Sequence, residues 1–170
     1  MAKLSLIPPG EVAVLARHLA DVGIAVTVLP ATDLYVMGRD QDHNVRRGVA
    51  DANFLVAHGV NCSLSTNNVL NPVTPYGDCS LIRMANLYAN LLQITGSAQL
   101  RECFAMLTER SARLLNLPDY GLAAGNAADI VVIDAVTPEQ AIAEIRQPLA
   151  VYKRGRRTVV RHPPELLRPL

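Results

Sequence analysis

Charge is scarce in this chain. Only 18% of its 170 residues are charged, and 16 Lys and Arg against 15 Asp and Glu leave a formal net charge of +1. That balance creates no bulk field to recruit nucleic acid or an anionic membrane surface. The densest basic stretch, Lys153-Arg154-Gly155-Arg156-Arg157, has glycine at its centre and reads as a solvated hairpin turn. Cysteine is rare too. Cys62, Cys79 and Cys103 are odd in number and show no C-x-x-C spacing, which argues against a disulfide framework and a zinc knuckle. Cys62 lies in a strand-like run and Cys103 in a helical one, where the thiol acts as a small apolar group, and a reducing cytoplasm is the compartment expected. The glycines are dispersed, so neither a G-x-G-x-x-G nor a P-loop occurs, and there is no G-x-S-x-G nucleophile elbow. Internal repeats and low-complexity tracts are missing as well. A long uncharged run, residues 84–100, carries Asn86, Asn90, Gln93 and Gln99, amides that are costly in hydrocarbon. It is therefore expected to be a buried helix of a soluble protein. The apolar stretch ahead of Pro8-Pro9 is too short for a secretory signal.

What is present is apolar side chain. Half the residues are hydrophobic and the mean hydropathy is +0.19, which suggests that some apolar surface is meant for a partner. The length suits one domain with a real core. Residues 11–22 space Val12, Leu15, Ala16 and Leu19 as one face of a helix, opened by Pro8-Pro9 and stopped by Gly23. Residues 24–29 form a short β-branched run closed by Pro30, expected as a buried strand. A polar loop spans residues 38–48, a helix residues 50–58 and a second strand residues 60–65. Asp78 is the expected N-cap of a helix over residues 79–95 that is apolar around most of its circumference. Helices over residues 100–107 and 111–115 and a strand over 128–133 come next. Thr137-Pro138-Glu139-Gln140 forms a capping box for a helix to about residue 146, and strands 149–153 and 157–160 flank the Arg154-Gly155 turn. The alternation is α/β with parallel strands, yet two such strands cannot bury both faces and both edges. The architecture is incomplete on its own.

An ordered set of motifs resembles the amidohydrolase superfamily, in particular its cytosine-deaminase-like branch. The set comprises Gly38-Arg39, Arg46-Arg47-Gly48, Gly59-Val60-Asn61, Asn71-Pro72, Pro75-Tyr76-Gly77 and Ser111-Ala112-Arg113-Leu114-Leu115-Asn116-Leu117. The most specific block is Tyr120-Gly121-Leu122-Ala123-Ala124-Gly125-Asn126-Ala127-Ala128-Asp129-Ile130-Val131-Val132, and the resemblance covers nearly the whole chain. It implies the C-terminal part of a (β/α)8 metal-dependent hydrolase barrel plus part of a small β module. Residues 24–29 would be strand seven and residues 62–65 strand eight, so residues 1–125 form a partial barrel, residues 126–162 a β-module segment and residues 163–170 a loose tail. Asp129 is expected to be a fold residue.

The implied chemistry is metal-assisted hydrolysis of a non-peptide C–N bond in a cyclic amide or amidine, using zinc or iron. The family's ligands are a His-x-His pair on strand one, His residues on strands five and six, and an Asp at the end of strand eight. This sequence is expected to begin just after the strand-six His, so the isolated chain is expected to hold no metal and to be inactive alone. The strand-eight position is occupied by Asn67, with Asn68 on the acidic residue after it. An amide oxygen is a weaker ligand than a carboxylate and takes no proton from water. Thr66, Asn67 and Asn68 admit two readings, a polar turn leaving the strand or part of a substrate pocket. Asp40, Asp42 and His43 could make an improvised metal site, but a solvated loop suits them better, and His18, His58 and His162 read as structural. The expected partners are a complementary N-terminal amidohydrolase half or further copies of this chain, without nucleic acid or membrane. The rival function is a non-catalytic scaffold formed by self-association.

Overall fold

The computed structural model describes residues 2–165 and Leu167. After a 3-10 turn at Ala2–Leu6 come helix α1 (Pro9–Asp21), strand β1 (Val26–Val28), α2 (Pro30–Val36), α3 (Ala52–Ala57) and β2 (Cys62–Leu64). The helices α4 (Leu81–Leu91), α5 (Ser97–Leu107) and α6 (Glu109–Leu114) come after them, then β3 (Ile130–Ile133), α7 (Pro138–Ala143), β4 (Pro148–Lys153) and β5 (Arg156–Val160). No helix among the described residues is long and apolar enough to cross a membrane. Of the expected loose tail, residues 163–165 and 167 carry no regular structure, and Leu166 and residues 168–170 lie outside the described residues.

β1 and β2 pair in parallel, with Val26 opposite Cys62 and Val28 opposite Leu64. Those four side chains are buried and share a core with Ala16 of α1, Leu55 of α3, Tyr88 of α4, Met106 of α5 and Ile142 of α7. Alternation along a strand puts Thr27 and Ser63 on the opposite face, where their hydroxyls meet at 2.8 Å. The outer edges of both strands are unpaired among the described residues. The second sheet is antiparallel in the order β3-β4-β5. Its hairpin closes through Arg154 and Gly155, both at positive φ (49° and 74°), the two-residue geometry that matches strand twist. Asp129 secures that turn: its carboxylate accepts from the Lys153 ammonium and, at 2.7 Å, from the Arg154 amide. Both bonds favour the ionised form and hold its pKa below the ordinary value.

Two local expectations need correction. Pro30 does not merely close a strand. It occupies the first turn of α2, where its missing N–H costs nothing. Asp78 does not cap α4 either. Ser80 Oγ accepts from the Arg83 amide, while Asp78 Oδ1 accepts from the Ser80 amide at 3.0 Å and from Arg83 Nε at 3.1 Å. Cys79 between them adopts φ +60°, so α4 starts two residues late, and it ends at Leu91. Burial on several sides holds, since α4 packs against α2, α5, α7 and β2. The amide of Asn86 donates to the Ile142 carbonyl at 2.9 Å and ties α4 to the end of α7.

One polar network runs from the surface at Asp51 to the buried Tyr88. Tyr88 is 0% exposed, and its hydroxyl accepts from the Asn53 backbone amide at 3.1 Å and donates to Asn53 Oδ1 at 2.9 Å. Asp51 caps α3 through the Phe54 amide at 2.9 Å, and Cys103 Sγ lies 3.7 Å from Asn53 Oδ1. Burial pushes the Cys62 and Cys103 thiols up to about 12, so both stay protonated and inert. Tyr88→Phe strands a buried N–H and should cost on the order of 1–2 kcal/mol. Urea unfolding of the variant checks it, and an unchanged midpoint would show that the network is dispensable.

Candidate functional site

The site lies where β1 and β2 end. In parallel α/β folds side chains at these C-terminal ends share one mouth. β1 runs through Leu29 straight into α2, whose first turn sets Thr32 opposite the segment leaving β2. Thr32 Oγ1 is 2.5 Å from Asn67 Oδ1 and 2.7 Å from Asn68 Oδ1. A hydroxyl has one proton, so it can serve only one of these oxygens, and the other amide must turn its NH2 toward Thr32. Thr66 Oγ1 accepts from the Asn68 amide at 3.0 Å. Of the three consecutive residues singled out from the sequence, Thr32 bridges Asn67 and Asn68, and Thr66 bonds to the Asn68 backbone amide.

A folded loop supports them. Asn71 Nδ2 donates to the Asn67 carbonyl at 2.8 Å, and Asn71 Oδ1 accepts from the Val73 and Thr74 amides at 3.0 and 2.9 Å. Gly77 (φ +117°) then passes so close that an added Cβ would sit 1.7 Å from the Asn68 carbonyl oxygen. Asn68 is 4% exposed within this arrangement, whereas the Asn67 side chain is exposed. The strand end is both an organised turn and a presented amide, so the two readings of Asn67 are compatible.

The donors do not by themselves fit zinc or iron. Asn67 and Asn68 offer neutral amides already engaged with Thr32. Among the described residues no three His, Cys, Asp or Glu side chains converge on a point that could hold an ion. Asp40, Asp42 and His43 sit exposed in their loop. His58 Nδ1 lies 2.8 Å from the Phe54 carbonyl and its ring stacks on Phe54, a structural role.

Asp33, beside Thr32, was not anticipated. It is 9% exposed and its Oδ2 has no hydrogen-bond partner. Burial raises its pKa above the ordinary carboxylate value. The available signal was an acid three residues after Pro30, in an otherwise apolar stretch. Because the native carboxyl keeps its proton to higher pH than the unfolded chain does, the stability associated with it is present in acid. It is lost as pH rises through the native pKa. Asp33→Asn should therefore stabilise the isolated chain at pH 7, on the order of 1 kcal/mol, and change little near pH 3. Thermal melts at both pH values test this, and equal effects would contradict it.

The chain has relatives among known proteins. A model of the amidohydrolase family matches residues 2–161. The N-isopropylammelide isopropyl amidohydrolase of Pseudomonas sp. (strain ADP) is 28% identical over 103 residues, covering 60% of this chain and 26% of that protein. The crystal structure of 5-methylcytosine deaminase from Klebsiella pneumoniae, liganded with 5-fluorocytosine, superposes with a TM-score of 0.89 at 25% identity. It covers 98% of this chain and 40% of the deaminase. Atrazine chlorohydrolase from Arthrobacter aurescens TC1, complexed with zinc, shares the fold at a TM-score of 0.63 and 22% identity, over 91% of this chain and 34% of its own. The chain thus spans well under half the length of each.

Proposed function

The chain belongs to the amidohydrolase family, its cytosine-deaminase-like branch included, and on that premise we propose that it forms the C-terminal part of a (β/α)8 barrel that hydrolyses non-peptide C–N bonds of cyclic amides or amidines. In this reading residues 1–125 are the barrel portion, with β1 and β2 as neighbouring strands, and residues 126–162 belong to a small β module. The reaction class is that of the relatives, a deaminase and an isopropylammelide amidohydrolase, carried over as a proposal.

The observation that carries this reading is the β1–β2 pair: parallel, packed on helices through Val26, Val28, Cys62 and Leu64, unpaired at both outer edges among the described residues, with Thr32, Thr66, Asn67 and Asn68 gathered at its C-terminal end. Exposed strand edges are costly to leave open, and neighbouring barrel strands close them. Asp33 supports the same view, because a buried carboxylate oxygen calls for a donor that none of the described residues supplies. The remaining strands then bring that donor and the ionisable groups the reaction needs, and the chain alone is inactive. Within the mouth, Thr32 holds the Asn67 side-chain amide in place, and Thr66 fixes the turn behind it through the Asn68 backbone amide.

The test is complementation. The chain is co-expressed with the portion of the Klebsiella pneumoniae 5-methylcytosine deaminase that it does not cover, and ammonia release from aminopyrimidines and aminotriazines is monitored. A one-to-one complex releasing ammonia supports the proposal, and Asp33→Asn should then become destabilising as its new partner is lost. A homo-oligomer of this chain that ignores the added half would favour the scaffold instead.

A further inference from the structure

A cavity of 590 Å³ opens beside the strand end, between α2, α4 and the loops that follow α2 and β2. Arg39, Arg47 and Arg83 line it, together with Tyr35, Tyr76 and Asn68. Arg83 is neutralised by Asp78 at 3.1 Å, in an exposed pair. Arg39 stacks its guanidinium 5.3 Å above the Tyr35 ring. Neither Arg39 nor Arg47 forms an ion pair with any carboxylate among the described residues, although Asp40 and Asp42 share their loop. Two uncompensated guanidiniums therefore face one concave surface in a chain whose net charge is only +1.

The rest of the lining is not built for a bare ion. Tyr35 and Tyr76 meet edge to face with centroids 6.3 Å apart, and Leu34, Met84 and Leu87 supply an apolar floor. A guanidinium is a planar fork that binds a carboxylate through two parallel hydrogen bonds, and aromatic walls and aliphatic side chains favour a flat apolar body. We propose that this cavity binds a small aromatic carboxylate, its carboxyl group held by Arg47 and Arg39 and its ring lying between the tyrosines over the apolar floor. The site is independent of the reaction proposed above and would stand if that reading failed. It adjoins the reaction mouth through Asn68, so an occupant touches the same turn that presents Asn67.

Benzoate is the probe, with benzamide as its neutral counterpart and inorganic phosphate as a charge without a ring. Titration calorimetry on the purified chain should show benzoate bound at least about tenfold more tightly than either, the scale of one charge-assisted hydrogen bond. Arg47→Gln and Arg39→Gln should each weaken benzoate by about tenfold. Arg47→Lys, which keeps the charge but loses the fork, should lose most of that affinity too. Asp40→Asn, in the same loop, should leave it unchanged. Benzamide binding as well as benzoate, phosphate binding as well as benzoate, or arginine variants that bind normally would each overturn the proposal. Both arginines are exposed, so these substitutions should preserve the fold. Should one not, the benzoate-to-benzamide ratio on the native chain still decides.

Discussion

Asn67→Asp, in a barrel completed by complementation, should raise C–N hydrolysis by about 10²–10⁴-fold, the usual contribution of a positioned general base. An amide oxygen accepts hydrogen bonds but not a proton at neutral pH, whereas a carboxylate in the same place can take one from an attacking water. The replacement suits the site. Thr32 Oγ1 already lies 2.5 Å from Asn67 Oδ1, and its bond to a carboxylate is stronger, with Asn68 turning its NH2 toward the hydroxyl. Asn67→Ala should give no gain. Adding Thr32→Val to Asn67→Asp should remove part of the gain, because the acid would lose the hydroxyl that orients it. Ammonia release at saturating substrate measures all three. If the Asp and Ala variants behave alike, Asn67 is a turn residue and nothing more.

Gly77→Ala should be the most damaging single substitution at the site. At φ +117° any side chain is strained, on the order of 1 kcal/mol, and here the new Cβ would sit 1.7 Å from the Asn68 carbonyl oxygen. Backbone blocks it on that side, so relief requires moving the turn at residues 66–77. The total cost should approach about 3 kcal/mol, limited by what the ordered turn is worth. Gly125→Ala is the control, since it shares a positive φ (+95°) with nothing within 4 Å. Chemical denaturation should place Gly77→Ala well below Gly125→Ala, and the complemented barrel should lose at least about tenfold in rate as Asn67 and Asn68 shift. Equal stabilities would mean that the close approach is absent in solution.

Local signals were readable from the chain; distant approaches were not. Pro8-Pro9 ahead of an apolar stripe marked α1, Thr137 with Gln140 marked α7, and Arg154-Gly155 marked the hairpin. β1 and β2 showed as short apolar runs between breakers, and the family motifs gave Thr66, Asn67 and Asn68 their place at a strand end. α2 was missed because proline both ends strands and begins helices, and only the residues after it decide between the two. The start of α4 was misplaced because Asp78 and Ser80 are both good caps, and the choice rests on Cys79 entering a left-handed conformation. Thr32 gave no spacing cue, and the acid after Pro30 was readable only once α2 was recognised. The role of Thr32 depends on α2 bringing it against residues 67 and 68 across 35 and 36 positions of chain.

Elemental analysis tests the central claim most directly: these 170 residues hold one end of an amidohydrolase mouth, and the rest of its polar groups come from other strands. The chain purified alone should carry zinc or iron far below one equivalent, because a catalytic ion needs about three protein ligands and the strand end offers neutral amides. The complemented Asn67→Asp barrel should approach one equivalent. Near-equimolar metal in the chain alone, lost on replacing Asp40, Asp42 and His43, would contradict the account and move the centre to that loop.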